Sequence, residues 1–184
     1  MSLREEMGAF NGMSIAKAKK EIKKKLSTDP LVSNFSIQYK LPNVLRVDVV
    51  VKSPIFSLKS SLSGKYASVS EGGTVLVVAD NSSLPTVNIE GDVPGVGQTV
   101  NDKYLFALKL IDGVNEMYQI NKGVVEGDTL LVDLPGGLRV IFPLVDADRD
   151  LLLGSLRLIY SNIQKEGTFS YSQLDLRFGN PVLR

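Results

Sequence analysis

Apolar positions recur along this chain in two periods, and the switches between them mark out its elements. In residues 14–26, Ile15, Ala18, Ile22 and Leu26 stand three or four apart, which predicts an amphipathic helix with one narrow buried stripe. Ser14 suits the N-cap, and Asp29-Pro30 ends the helix because the residue before a proline avoids the α region. The period then becomes two. Phe35, Ile37 and Tyr39 alternate over residues 32–39. Leu45, Val47, Val49 and Val51 alternate over residues 44–51, with Arg46, Asp48 and Lys52 pointing the other way. Leu41-Pro42-Asn43 between the two runs is turn chemistry, so a hairpin is expected, with Pro54 closing the module.

From about Ser60 the texture changes to short strands. Residues 66–69 and 74–78 flank Glu71-Gly72-Gly73, a hairpin-like turn. Residues 80–99 are rich in Asn, Ser, Pro and Gly and read as an extended loop. A helix is expected over 101–111, capped by Asn101 or Asp102, with Tyr104, Leu105, Leu108 and Ile111 as its stripe. Strands at 129–133 and 138–143 surround Leu134-Pro135-Gly136-Gly137. A second helix over 148–164 carries Leu151, Leu152, Ser155, Leu156 and Ile159, and an alternating strand over 173–178 closes the chain. The fold class is therefore α+β: a small module over 4–58, then a mostly antiparallel sheet domain with two packed helices over 59–184.

Charge sharpens this division. The 184 residues sum to +1, so bulk electrostatics gives no reason to expect nucleic acid as a partner. Residues 1–60, however, hold eleven Lys/Arg against five Asp/Glu, whereas residues 61–184 hold ten against fifteen. Much of the excess is the lysine face at 17–25, where Lys17, Lys20 and Lys24 are candidates for attraction to anionic lipid heads. A plain solvated helix surface is the competing reading. No apolar run approaches the roughly 20 residues that a membrane helix needs, and no signal-peptide pattern stands at the start. Met1-Ser2-Leu3 reads as an added leader, so a natural anchor is expected upstream.

The chain has no Cys and no His. That rules out disulfides, thiolate metal sites and Ser-His-Asp hydrolysis. Asp146-Ala-Asp148-Arg-Asp150 begins like a calcium loop, but Leu151 and Arg157 occupy the places of its glycine and glutamate, so acidic capping of the following helix is preferred. Gly95-Val-Gly97 lacks the third glycine of a dinucleotide fingerprint. Ser14-Ile-Ala-Lys17 matches S-x-x-K without the tripeptides that accompany it in acylases. No cofactor or metal is expected from these patterns.

Two segments together resemble a known family. Residues 19–56 present Leu26, Asp29, Pro30, Val32, Pro42, Asn43, Leu45, Val47, Val49 and Pro54. They are similar to the second half of the membrane-proximal POTRA domain of FtsQ/DivIB cell-division proteins, where a helix, a D-P-x-V-like turn and a "P-n-x-L-r-v-x-V" strand lead to a proline. Leu174-Asp175-Leu176-Arg177-Phe178 resembles the "v-D-L-R-y" strand that closes that family's β-domain. The likeness runs in order along almost the whole chain. Only residues 3–8 could stand for the POTRA domain's first strand and helix, Phe178 replaces a usual tyrosine, and Pro143 a frequent glycine.

The resemblance implies a non-enzymatic divisome scaffold, held in the cell membrane by one N-terminal helix outside this sequence, with the present region extracytoplasmic. It also implies FtsB/DivIC-like and FtsL-like partners and no small-molecule substrate. Partner binding is placed at Leu174, Asp175, Leu176, Arg177, Phe178 and Gly179. The alternating pattern puts Leu174, Leu176 and Phe178 on one face, with Asp175 and Arg177 on the other, and leaves a backbone edge for an incoming strand. Two alternatives remain: a POTRA-bearing component of protein transport or outer-membrane assembly, and an enzyme that uses only carboxylates and lysines.

Overall fold

The computed structural model describes residues 13–166 and 171–184, so the expectation at residues 3–8 lies outside the described residues. The chain divides between Lys52 and Ser53 into two compact units. The first unit holds α1 (Ile15–Thr28), β1 (Val32–Lys40) and β2 (Val44–Val51). Ser14 sits at the N-cap in an extended conformation, yet its side chain makes no capping bond. The helical ladder starts instead from its carbonyl, which accepts the Ala18 amide at 2.9 Å. Ala18, Ile22 and Leu26 are the buried stripe, and Ile15 is only half-buried. At the far end Thr28 Oγ1 donates to the Lys24 and Lys25 carbonyls, and the Leu31 amide donates to Asp29 Oδ1 at 2.9 Å. The Thr28 hydroxyl thus reaches carbonyls near the end of the helix, and the Leu31 amide beyond it closes a turn on the Asp29 side chain. β1 and β2 pair antiparallel, with Phe35 opposite Val49, Ile37 opposite Val47 and Tyr39 opposite Leu45. Tyr39 and Val51, members of the two alternating apolar sets, are exposed at 50% and 58%.

The second unit is a nine-stranded mixed sheet in the order β11-β10-β9-β8-β7-β6-β3-β4-β5. Its strands are β3 (Pro54–Ser60), β4 (Tyr66–Ser70), β5 (Val75–Ala79), β6 (Thr86–Ile89), β7 (Lys122–Glu126), β8 (Thr129–Asp133), β9 (Arg139–Pro143), β10 (Gln173–Asp175) and β11 (Val182–Leu183). Neighbours pair antiparallel except at β3/β6, β6/β7 and β9/β10. The last two parallel pairs need crossovers, and the helices supply them: α2 (Asp102–Tyr118) links β6 to β7, and α3 (Arg149–Glu166) links β9 to β10. The α+β class with a mostly antiparallel sheet and two packed helices is therefore observed.

The expected boundary at residue 58 shifts. Residues 53–58 belong to the second unit, because Phe56 and Leu58 are buried in its core and β3 is hydrogen-bonded to strands on both sides. Pro54 opens that strand instead of closing a module, a position where its missing N–H costs no ladder bond. The 80–99 segment likewise contains β6, and β7 was not expected at all. α2 runs past Ile111 to Tyr118, and within this stretch Gly113 lets α2 and α3 approach closely, since a Cβ there would collide with Leu153 Cδ1 of α3. α2 then stops at Gln119 in the left-handed region, its amide bonded to the Asn115 carbonyl.

One face of the sheet carries the core. Leu58, Val87, Val125, Leu130, Val140, Phe142 and Leu174 pack there with Leu108, Leu110 and Ile111 of α2 and Leu156 of α3. Leu151 does not join them; it is 70% exposed. The acidic run before α3 caps that helix, since Asp148 Oδ1 accepts the amides of Asp150 and Leu151 at 2.9 Å each.

Candidate partner-binding edge

The expected strand over 173–178 is shorter than its alternation suggested. β10 ends at Asp175, and both of its sides are occupied. On one side it runs parallel to β9, with Leu174 beside Val140 and Asp175 beside Ile141. On the other, the chain returns antiparallel: Leu174 faces Leu183 and Asp175 faces Val182. Gln173 and Arg184 exchange both backbone hydrogen bonds, at 3.0 and 2.9 Å. The proposed free edge along 174–179 is thus corrected. Residues 182–184 cover β10, and among the described residues the outermost strand on this side is β11.

The geometry of that edge follows from the ladder. Bonded and non-bonded pairs alternate in an antiparallel pair, so with Gln173/Arg184 bonded, Leu174/Leu183 is the non-bonded pair. The N–H and C=O of Leu183 therefore point away from β10. Pro181 supplies no donor, which limits the edge on its other side. A two-residue edge flanked by proline is blunted against indiscriminate pairing.

The six candidate residues separate by environment. Leu174 and Leu176 are buried in the core at 0% and 4% exposure, and the Leu176 amide still bonds the Ile141 carbonyl of β9 at 2.9 Å. Asp175 is also fully buried, on the opposite face. Arg177 forks its carboxylate: Nε donates to Oδ1 at 2.9 Å and Nη2 to Oδ2 at 2.6 Å, and the Arg177 amide adds a bond to Oδ1 at 3.1 Å. The Arg177 side-chain bonds hold the Asp175 carboxyl below the usual carboxylate range, against the desolvation that would raise it. The pair folds the chain back after β10, which takes Phe178 off the buried face. Phe178 is 53% exposed, with the Arg177 guanidinium 5.7 Å from its ring centre, and Gly179 is exposed beside it.

The structure thus brings Arg177, Phe178 and Gly179 to the surface and leaves Leu174, Asp175 and Leu176 as their support. The residues sequence reasoning missed are Val182 and Leu183. Their signal was Asn180-Pro181, a turn dipeptide followed by two apolar residues. Lys17, Lys20 and Lys24 are all exposed on α1. No protein-family model matches the chain, and no curated protein matches its sequence.

Proposed function

We propose that this chain is a non-enzymatic binding module that presents the β11 edge and the Arg177–Phe178 corner to a protein partner. Arginine and aromatic side chains are the types that most often anchor interfaces, and here they stand beside outward backbone groups at a sheet edge. The observation that carries the reading is Phe178, a large apolar side chain half exposed next to the last strand. The α+β fold is compatible with this role.

Within that class, the reading is an FtsQ/DivIB-type division protein. It would be anchored in the cell membrane by an N-terminal helix outside this sequence and would bind FtsB/DivIC-like and FtsL-like proteins on the outer side. The support is the order and spacing of the motifs over residues 19–56 and 174–178. In this reading α1, β1 and β2 correspond to the later part of a POTRA domain. A fluorescent fusion of the full-length protein tests it: recruitment to the septum is expected, and an even distribution around dividing cells overturns it.

A further inference from the structure

Strand alternation gives the sheet a second face, away from α2 and α3, and its character changes along its length. Over β7, β8 and β9 it carries Val124, Leu131 and Ile141, which are direct cross-strand neighbours. Over β3, β4 and β6 it is polar, because Leu58, Ala67, Val69, Val87 and Ile89 face the core and leave Ser57, Lys59, Tyr66, Ser68, Thr86 and Asn88 on the other side.

A cleft of about 280 Å³ opens on this polar stretch, lined by Lys59, Tyr66, Thr86, Asn88, Asn121 and Lys122 and walled by Ser82 and Leu84. Its walls are fixed by backbone bonds from Ser57 to the Pro85 carbonyl and from Thr86 to the Asn121 carbonyl, both 2.8 Å. Thr86 Oγ1 donates to the Leu84 carbonyl at 2.7 Å, and Ser82 Oγ accepts the Leu84 amide at 3.2 Å. Lys59 is held over the Tyr66 ring, 5.4 Å from its centre. On the same face of β3, Ser57 Oγ is fully buried and has no hydrogen-bond partner among the described residues.

Two lysines and, among the described residues, no acidic residue line the cleft. Asp133, which lines the neighbouring hollow with Lys122, gives both of its oxygens to Arg139, at 2.7 and 3.2 Å. A cationic hollow stands out in a region where residues 61–184 carry fifteen acidic against ten basic side chains. We propose that this cleft binds a phosphate monoester carried by a small hydroxylated molecule. A monoester bears about −1.5 to −2 charges at neutral pH, which two ammoniums match. Lysines act on it as point charges, and the flanking amides and hydroxyls suit a ligand's own hydroxyl groups. The volume lies just below the roughly 300 Å³ at which drug-sized pockets begin, so the ligand is small. The proposal is independent of the division reading.

NMR titration of the chain at low salt tests it, with glycerol phosphate as the probe and inorganic phosphate, succinate and glycerol in separate arms. Saturable amide shifts confined to residues 57–59, 86–88 and 121–122 are expected for glycerol phosphate, with inorganic phosphate weaker and succinate weaker still. Lys59→Met and Lys122→Met, checked for an intact spectrum, should each weaken binding about tenfold, the loss of one charged contact. Shifts that follow the lysines of α1 and spare the cleft overturn the site, as does unchanged affinity in both variants. Succinate binding as tightly as glycerol phosphate overturns the phosphate assignment, and inorganic phosphate doing so overturns recognition of the hydroxylated part.

Discussion

Leu174→Ala and Phe178→Ala should separate sharply in stability, although the sequence pattern puts both residues on one strand face. Leu174 has no exposed surface and lies in the core cluster. Truncating it deletes about three carbons at ~0.8 kcal/mol each, and the cavity left behind brings the total to about 3–4 kcal/mol. Phe178 is 53% exposed and already outside the core. Its truncation loses part of a surface contact and the cation–π contact with Arg177, together below about 1 kcal/mol. Urea unfolding followed by far-ultraviolet circular dichroism resolves this difference. At a slope of about 2 kcal/mol per molar, Leu174→Ala lowers the midpoint by about 1.5–2 M and Phe178→Ala by less than about 0.5 M. Equal losses would refute the placement of Phe178 on the surface and restore the longer buried strand.

Arg177→Met should flatten the acid limb of the stability curve. With its pKa lowered by Arg177, Asp175 contributes stability that is present above the unfolded carboxylate value and lost as pH falls through the folded one. Removing the guanidinium removes the main cause of that dependence, and an unchanged limb in pH-dependent unfolding would contradict it. Asp112 titrates in the opposite sense: burial and then Glu116 raise its pKa despite Arg149, so its contribution is lost as pH rises. Asp112→Asn should therefore raise the unfolding temperature at neutral pH and lose that advantage in acid. If α1 lies against a membrane, the chain should sediment weakly with anionic vesicles, lose that binding as salt rises, and lose it when Lys17, Lys20 and Lys24 are replaced by Gln. No sedimentation at low salt would leave those lysines as a solvated surface.

Elements with strong local signals were legible in the sequence. α1 announced itself by its stripe and by Asp29-Pro30, and β2 by four alternating aliphatics with charges between. What escaped was the middle of the large sheet. β3 hid behind Pro54, which is a terminator in one context and a strand opener in another. β6 has only four residues between Pro85 and Gly91, and β7 begins with Lys122-Gly123, a poor strand signal. β6 pairs only with β3 and β7, both far along the chain, and β3 and β7 each have one local hairpin partner and that distant strand on the other side, a pairing that a local pattern does not reveal. At the candidate edge, alternation correctly buried Leu174 and Leu176. It carried on one step too far to Phe178 because Asp175 and Arg177, which the alternation reads as ordinary solvent-facing positions, bond each other across two residues at the point where the strand ends.

We propose that β11 and Phe178 form a partner edge, and on the proposed division reading the most direct test is binding to the soluble part of an FtsB/DivIC-like protein from the same organism. Calorimetric titration should give saturable one-to-one binding. Phe178→Ala removes the exposed anchor, and Leu183→Pro removes the one outward amide of the edge; with circular dichroism showing an intact fold, each should weaken binding at least tenfold, or about 1.4 kcal/mol. Folded Phe178→Ala and Leu183→Pro variants that bind the partner as tightly as the unaltered chain would contradict the claim.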